Sequence, residues 1–248
     1  MTGSAAGSGP ATKGHPSEAP GFPEEFDRIE AAVDAGRTDL GPLGFWRLLA
    51  KVKADPALAS HWAEQAGRID RTAFESSSLI RVPVWVGNVL SLAGILIGAA
   101  AVAIALGTES ETLAGLLLVF AALDWSAAPH SIAHWLVGRI VGIRFTCYFL
   151  RSLVPPFPGV KIDYRSYLLA SPGSRAWMHA SGAIASKLGP LVALAFWPAT
   201  VAPTWAAWVI VAYELVIIGT DVFISTRRSD WKRVRRELRI SRMQGSGG

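Results

Sequence analysis

Hydrophobic and polar positions divide this chain into two unlike parts. Up to Arg81 the apolar residues recur at helical spacing among charges, and beyond it they run on almost unbroken. Between Pro23 and Gly36, residues Phe26, Ile29, Ala32 and Val33 fall on one helical face. Gly41 to Val52 offers Phe45, Trp46, Leu48, Leu49 and Val52, and Ala57 to Phe74 aligns Leu58, Trp62, Ala66, Ile69 and Phe74. Gly-Pro and Asp-Pro breaks separate the three, so the pattern predicts three short amphipathic helices. About sixty residues make a marginal core on their own. The region is therefore expected to lean on the apolar remainder of the chain as a small helical cap.

From Val82 to Thr108 there is no charged residue, enough for one helix across a hydrocarbon core of about 30 Å. Comparable apolar stretches begin at Leu113 and Ser181. The predicted membrane helices cover about 83–106, 112–143, 175–199 and 203–225. Between the second and third, residues 144–150 and 160–167 alternate imperfectly and are aromatic-rich around the turn Pro155-Pro-Phe-Pro158. That pattern predicts two strands. The expected fold is an all-α polytopic membrane protein of about four transmembrane helices, with a short β-hairpin-like loop and a small helical N-terminal region. In domains, this gives a disordered tail over 1–22, rich in Gly, Ser, Ala and Pro, then a helical region over 23–81. A membrane domain comes next over 82–225, then a basic tail over 226–248.

Charge sets the expected orientation. The formal charge of +5 is concentrated after Thr226, where eight basic residues stand against Asp230 and Glu237. The links after helices one and three carry no Lys or Arg, whereas the link after helix two carries Arg144, Arg151, Lys161, Arg165 and Arg175. This asymmetry predicts a plasma (cytoplasmic) membrane protein with both termini in the cytoplasm. The basic tail is expected to meet anionic lipid headgroups rather than nucleic acid. One cysteine, Cys147, excludes an intrachain disulfide and a cysteine-based zinc cluster.

Candidate chemistry centres on His130 and His134, four residues apart in the second apolar helix and so one turn above each other. Polar groups of this kind inside a membrane span are functional candidates by default. On the fourth helix Glu214 and Asp221 share a face, and Asp221 lies at a depth similar to the histidines. Two imidazoles, one carboxylate and an open fourth position form a recognised catalytic zinc arrangement. His130, His134 and Asp221 supply it if helices two and four touch. The competing readings are a buried polar histidine pair and an ion pair between Asp221 and Lys187. Glu214 is read as a partner of Lys187 or as a protonated group among polar neighbours, Asp124 as a helix-packing polar site, and His179 as an interfacial histidine outside the ligand set.

The segment His130-Ser-Ile-Ala-His134-Trp-Leu-Val-Gly-Arg139-Ile-Val-Gly142-Ile-Arg-Phe resembles the active-site helix of site-2-protease-type intramembrane zinc metallopeptidases. Ser181-Gly-Ala-Ile-Ala-Ser-Lys187-Leu-Gly-Pro190 resembles the Gly-Pro-containing helix that comes after it in that family. Thr220-Asp221 stands where the family's Leu-Asp-Gly motif supplies the third ligand. The resemblance covers about residues 112–225. It implies a zinc-binding core acting on membrane-embedded protein substrates.

The chain departs from the family at two places. Ser131 stands where His-Glu-x-x-His carries its general base, and serine is no base at neutral pH. Val222 stands where the motif has glycine. Asp124 and Glu214, each about 10 Å outward along its helix, are the weak candidates to replace the missing carboxylate. Two functions are then open: a divergent metallopeptidase that holds zinc and hydrolyses peptide bonds in membrane-embedded substrates, or an inactive pseudoprotease that serves as a membrane scaffold for client helices. A transporter is a third, less supported by four helices without paired discontinuous segments.

Overall fold

The computed structural model describes residues 21–78, 80–153, 156–223 and 229–245. The expected N-terminal tail lies outside these residues except for Gly21 and Phe22. So do part of the Pro-rich turn and the segment 224–228, which includes the expected end of the fourth membrane helix.

Three helices form first: α1 (Phe22–Asp34), α2 (Phe45–Ala54) and α3 (Pro56–Glu75). Asp55 starts α3 by accepting from the Ala57 N–H at 2.8 Å, with Pro56 in the first turn where its missing N–H does no harm. The apolar faces read from the sequence meet in one core of Phe26, Ile29, Phe45, Leu48, Leu49, Trp62 and Ile69. The Phe26 and Trp62 rings stack at 4.6 Å.

A short strand, β1 (Ile80–Val82), leads into α4 (Val84–Gly107) and then α5 (Glu111–Ile140). The chain continues through β2 (Phe145–Leu153), β3 (Pro156–Ile162) and α6 (Tyr164–Leu169). It returns through α7 (Pro172–Phe196), a single 3-10 turn (Trp197–Ala199) and α8 (Thr204–Phe223), and ends in α9 (Asp230–Gly245). The fold is that of an all-α polytopic membrane protein. Four helices, α4, α5, α7 with its 3-10 turn, and α8, are long and apolar enough to cross a membrane. Leu90, Leu96, Leu116, Leu188 and Val216 stay exposed along them, as a lipid-facing surface requires.

The pair α5 and α7 forms the centre of the bundle. Small residues let the two backbones close up: any side chain at Gly189 would strike the Trp125 carbonyl. That carbonyl sits four residues before Pro129, which has no N–H to offer it. At its far end α5 stops at Gly142, whose φ of +84° only glycine adopts readily, and the Ile143 N–H returns to the Gly138 carbonyl at 2.8 Å. The chain is thereby turned into β2 a few residues after the histidines.

The sheet has the order β1-β2-β3, antiparallel, with Val82 opposite Tyr148 and Phe149 opposite Gly159. The second strand was expected to reach Tyr167, but it stops at Ile162. Asp163 accepts from the Ser166 N–H at 3.2 Å and so caps α6. Leu168 of α6 then packs into the N-terminal helical core and ties that region to the bundle. The basic segment read as a tail is a helix, α9. It lays Val234, Glu237 and Ile240 against the rest of the protein, with Trp231 packed on Ala176 and Ala180 of α7.

Candidate metal centre

His134 is buried on α5 and faces α7, where Gly182 leaves room for its ring. Its Nδ1 lies 2.6 Å from the Met178 carbonyl oxygen. A carbonyl only accepts, so Nδ1 donates to it, which leaves Nε2 as the atom turned toward Asp230. One turn earlier, His130 places Nδ1 2.9 Å from the Ser186 hydroxyl, which orients that ring as well. The two Nε2 atoms approach to 3.2 Å.

A carboxylate completes the group. Asp230 Oδ2 lies 3.4 Å from His130 Nε2 and 3.3 Å from His134 Nε2. Three possible ligand atoms thus face one another, an arrangement that suits a positive centre among them. Donors about 2.0–2.1 Å from a tetrahedral zinc stand about 3.3 Å apart, the spacing found here. Outer hydrogen bonds on Nδ1 are the usual company of imidazoles that ligate through Nε2. His130, His134 and Asp230 could hold a metal ion, and theirs is the one such group among the described residues.

Asp230 is kept ionised. Burial opposes its charge, but hydrogen bonding to His130, His134 and His179 outweighs that and holds the carboxyl well below the ordinary range. It also opens α9, where the N-terminal end of the helix dipole favours an anion. Its other oxygen, Oδ1, is 3.6 Å from His179 Nδ1.

Behind the three-residue group lies a buried polar chain. His179 Nε2 is 3.0 Å from the Tyr167 hydroxyl, which is 3.0 Å from Glu237 Oε1. Glu237 is 1% exposed and receives Lys53 Nζ at 2.7 Å and Arg175 Nε at 2.6 Å. Burial alone would raise the Glu237 carboxyl, but the two cations hold it below its usual value. Burial brings Lys53 down to about 8 despite Glu237, and it pushes the Tyr167 hydroxyl well up. Elements from the whole chain meet here: α2 through Lys53, α6 through Tyr167, α7 through Arg175 and His179, and α9 through Glu237.

The residues singled out in the sequence come together only in part. His130 and His134 converge as their spacing suggested. Asp221 does not join them: its carboxylate lies 2.5 Å from Lys187 Nζ, and the third ligand position is taken by Asp230, nine residues on. Ser131 is half-buried on α5 and brings no carboxylate to the group. Asp124 turns toward α4, where its oxygens lie against Gly94 and Gly98. Glu214, read as a partner of Lys187 or as a protonated group among polar neighbours, is buried with no hydrogen bond to either oxygen among the described residues. His179, set aside as an interfacial residue, is buried beside Asp230.

The sequence pattern did not reveal Asp230, Glu237, Arg175, Lys53 and Tyr167 as parts of the centre. The available signal was narrow: Asp230 and Glu237 are the two acids in a basic run, and they share a helical face with Trp231, Val234 and Ile240. No family model, no curated protein and no solved structure matches this chain.

Proposed function

We propose that this chain is a zinc-binding membrane protein built like a site-2-protease-type metallopeptidase, acting as a pseudoprotease scaffold rather than cleaving peptide bonds. The observation that carries it is the convergence of His130 Nε2, His134 Nε2 and Asp230 Oδ2 at 3.2–3.4 Å. Zinc held by two imidazoles and one carboxylate supplies a Lewis acid with an open fourth position.

What hydrolysis additionally needs is a positioned base, and none of the candidates among the described residues supplies one. Ser131 stands at that place in the motif, and a missing general base lowers rates by about 10²–10⁴-fold. Asp124 lies six residues before His130, about 9 Å along the helix, and faces α4. Glu214 is on α8 and makes no hydrogen bond among the described residues. The chain's own residues therefore hold and orient a cation: Met178 and Ser186 fix the imidazoles, and His179 flanks the carboxylate.

In this reading the partners are membrane-embedded client helices, with the basic exposed face of α9 (Arg235, Arg236, Arg239) resting on anionic headgroups. The termini are then cytoplasmic, in keeping with the distribution of Lys and Arg. The test combines elemental analysis of detergent-purified protein with a casein-hydrolysis assay in added zinc. About one zinc per chain with no hydrolysis above background is expected. Zinc together with turnover that is lost in H134A would favour the peptidase instead.

A further inference from the structure

The third ligand comes from outside the bundle. Asp230 opens α9, a helix with Lys232, Arg233, Arg235, Arg236, Arg239 and Arg242 among its sixteen residues and only a thin apolar stripe of Trp231, Val234 and Ile240. Such a helix gains little from hydrophobic burial alone. Its seating rests on two carboxylates on one face, Asp230 and Glu237, two turns or about 10 Å apart. Without a cation, Asp230 at the start of α9 is held by contacts with imidazoles. With one, the same atoms become a set of ligands.

The second carboxylate carries the effect further. Glu237 is the counter-charge of Lys53 and Arg175, both buried. Were α9 to leave, both cations would lose this counter-charge, and Lys53 belongs to α2 of the N-terminal helical region. Gln244, near the end of α9, also donates to the Ala54 carbonyl at 3.2 Å and the Lys53 carbonyl at 3.4 Å, at the C-terminal end of α2. The N-terminal region is thus bound to the same helix that completes the metal group.

We propose that the centre is a metal-operated latch: occupancy by zinc seats α9 on α7, and through Glu237 and Gln244 it fixes the N-terminal helical region on the bundle. This rests on the zinc reading above and adds a regulatory consequence. By linkage the effect runs both ways, so loosening α9 at a distance weakens metal binding. Lys53 touches none of the three ligands, yet its replacement lowers zinc affinity.

The test is hydrogen–deuterium exchange on full-length protein in detergent, zinc-loaded against chelator-stripped, with zinc content measured on both samples. The expected result is about one zinc in the loaded sample, and amide protection in 230–245 and 45–54 that falls on stripping. Protection within α4 is expected to stay the same. Zinc bound with α9 equally protected in both states overturns the latch and leaves the zinc reading standing. No zinc in the loaded sample overturns both. In a second arm, Lys53→Met is expected to weaken zinc binding about tenfold while leaving the ligands in place. Unchanged affinity in a variant whose α9 has lost protection contradicts the coupling.

Discussion

Lys187 and Asp221 join α7 to α8 through an ion pair of 2.5 Å, and that pair engages the carboxylate expected to be the third ligand. The lysine is 19% exposed and the aspartate 29%, so the pair is partly covered by its neighbours. Replacing Lys187 by Met leaves Asp221 without its partner. We expect a loss of about 1–3 kcal/mol in unfolding free energy with zinc content unchanged. Thermal unfolding in detergent and elemental analysis of the same sample check this. A variant that loses its zinc would tie Asp221 to the metal after all.

Gly182 gives a way to damage the centre without touching a ligand. A methyl group there would collide with the His134 imidazole, which the Met178 carbonyl holds in place. Gly182→Ala is expected to lower zinc affinity about 10–100-fold, the usual effect of disturbing the support of a ligand. Competition with a chromophoric chelator measures it. Wild-type affinity in the variant would mean that the ring has room the packing does not show.

Glu237 ties stability to acid. Its folded carboxyl lies below the ordinary value of 4.5, so the stability it contributes is complete above about pH 4.5 and is lost as pH falls through the folded value. The seating of α9 is therefore expected to weaken below about pH 4.5. Glu237→Gln is less stable at neutral pH, by about 3–5 kcal/mol for a broken buried pair, and has a flatter acid limb. Melting temperatures from pH 7 to pH 3 for both proteins provide the comparison. Parallel acid limbs would remove Glu237 from the account.

Glu214 predicts the opposite sign. A buried carboxylate with no hydrogen bond among the described residues is costly to keep, and the amide of the same shape is cheaper to bury. Glu214→Gln is expected to be neutral or to gain up to about 1–2 kcal/mol, raising Tm by about 2–4 °C per kcal/mol. A clear loss of stability would show that Glu214 has a partner.

The bundle was legible because its signal is local. A charge-free run such as Val84–Gly107 has few ways to satisfy its backbone other than as a membrane helix. His130 and His134 stood out for the same reason, as polar groups in an apolar helix. The β3–α6 junction was not legible, since the alternation runs on past Asp163 and the cap shows only where its side chain meets the Ser166 N–H. Asp230 and Glu237 were hidden more deeply. Their helix is so basic that it reads as a solvated tail, and their partners come from elsewhere: His130 and His134 from α5, Arg175 and His179 from α7, Lys53 from α2. Only tertiary packing turns those two acids from minor exceptions in a basic run into the residues on which the centre depends.

Asp230, and not Asp221, stands beside the two imidazoles. Zinc per chain by elemental mass spectrometry on wild type, Asp230→Asn and Asp221→Asn in detergent tests it most directly. About one zinc in wild type and Asp221→Asn, with loss in Asp230→Asn, is the predicted result. Zinc retained in Asp230→Asn and lost in Asp221→Asn, or absent from all three, would contradict it.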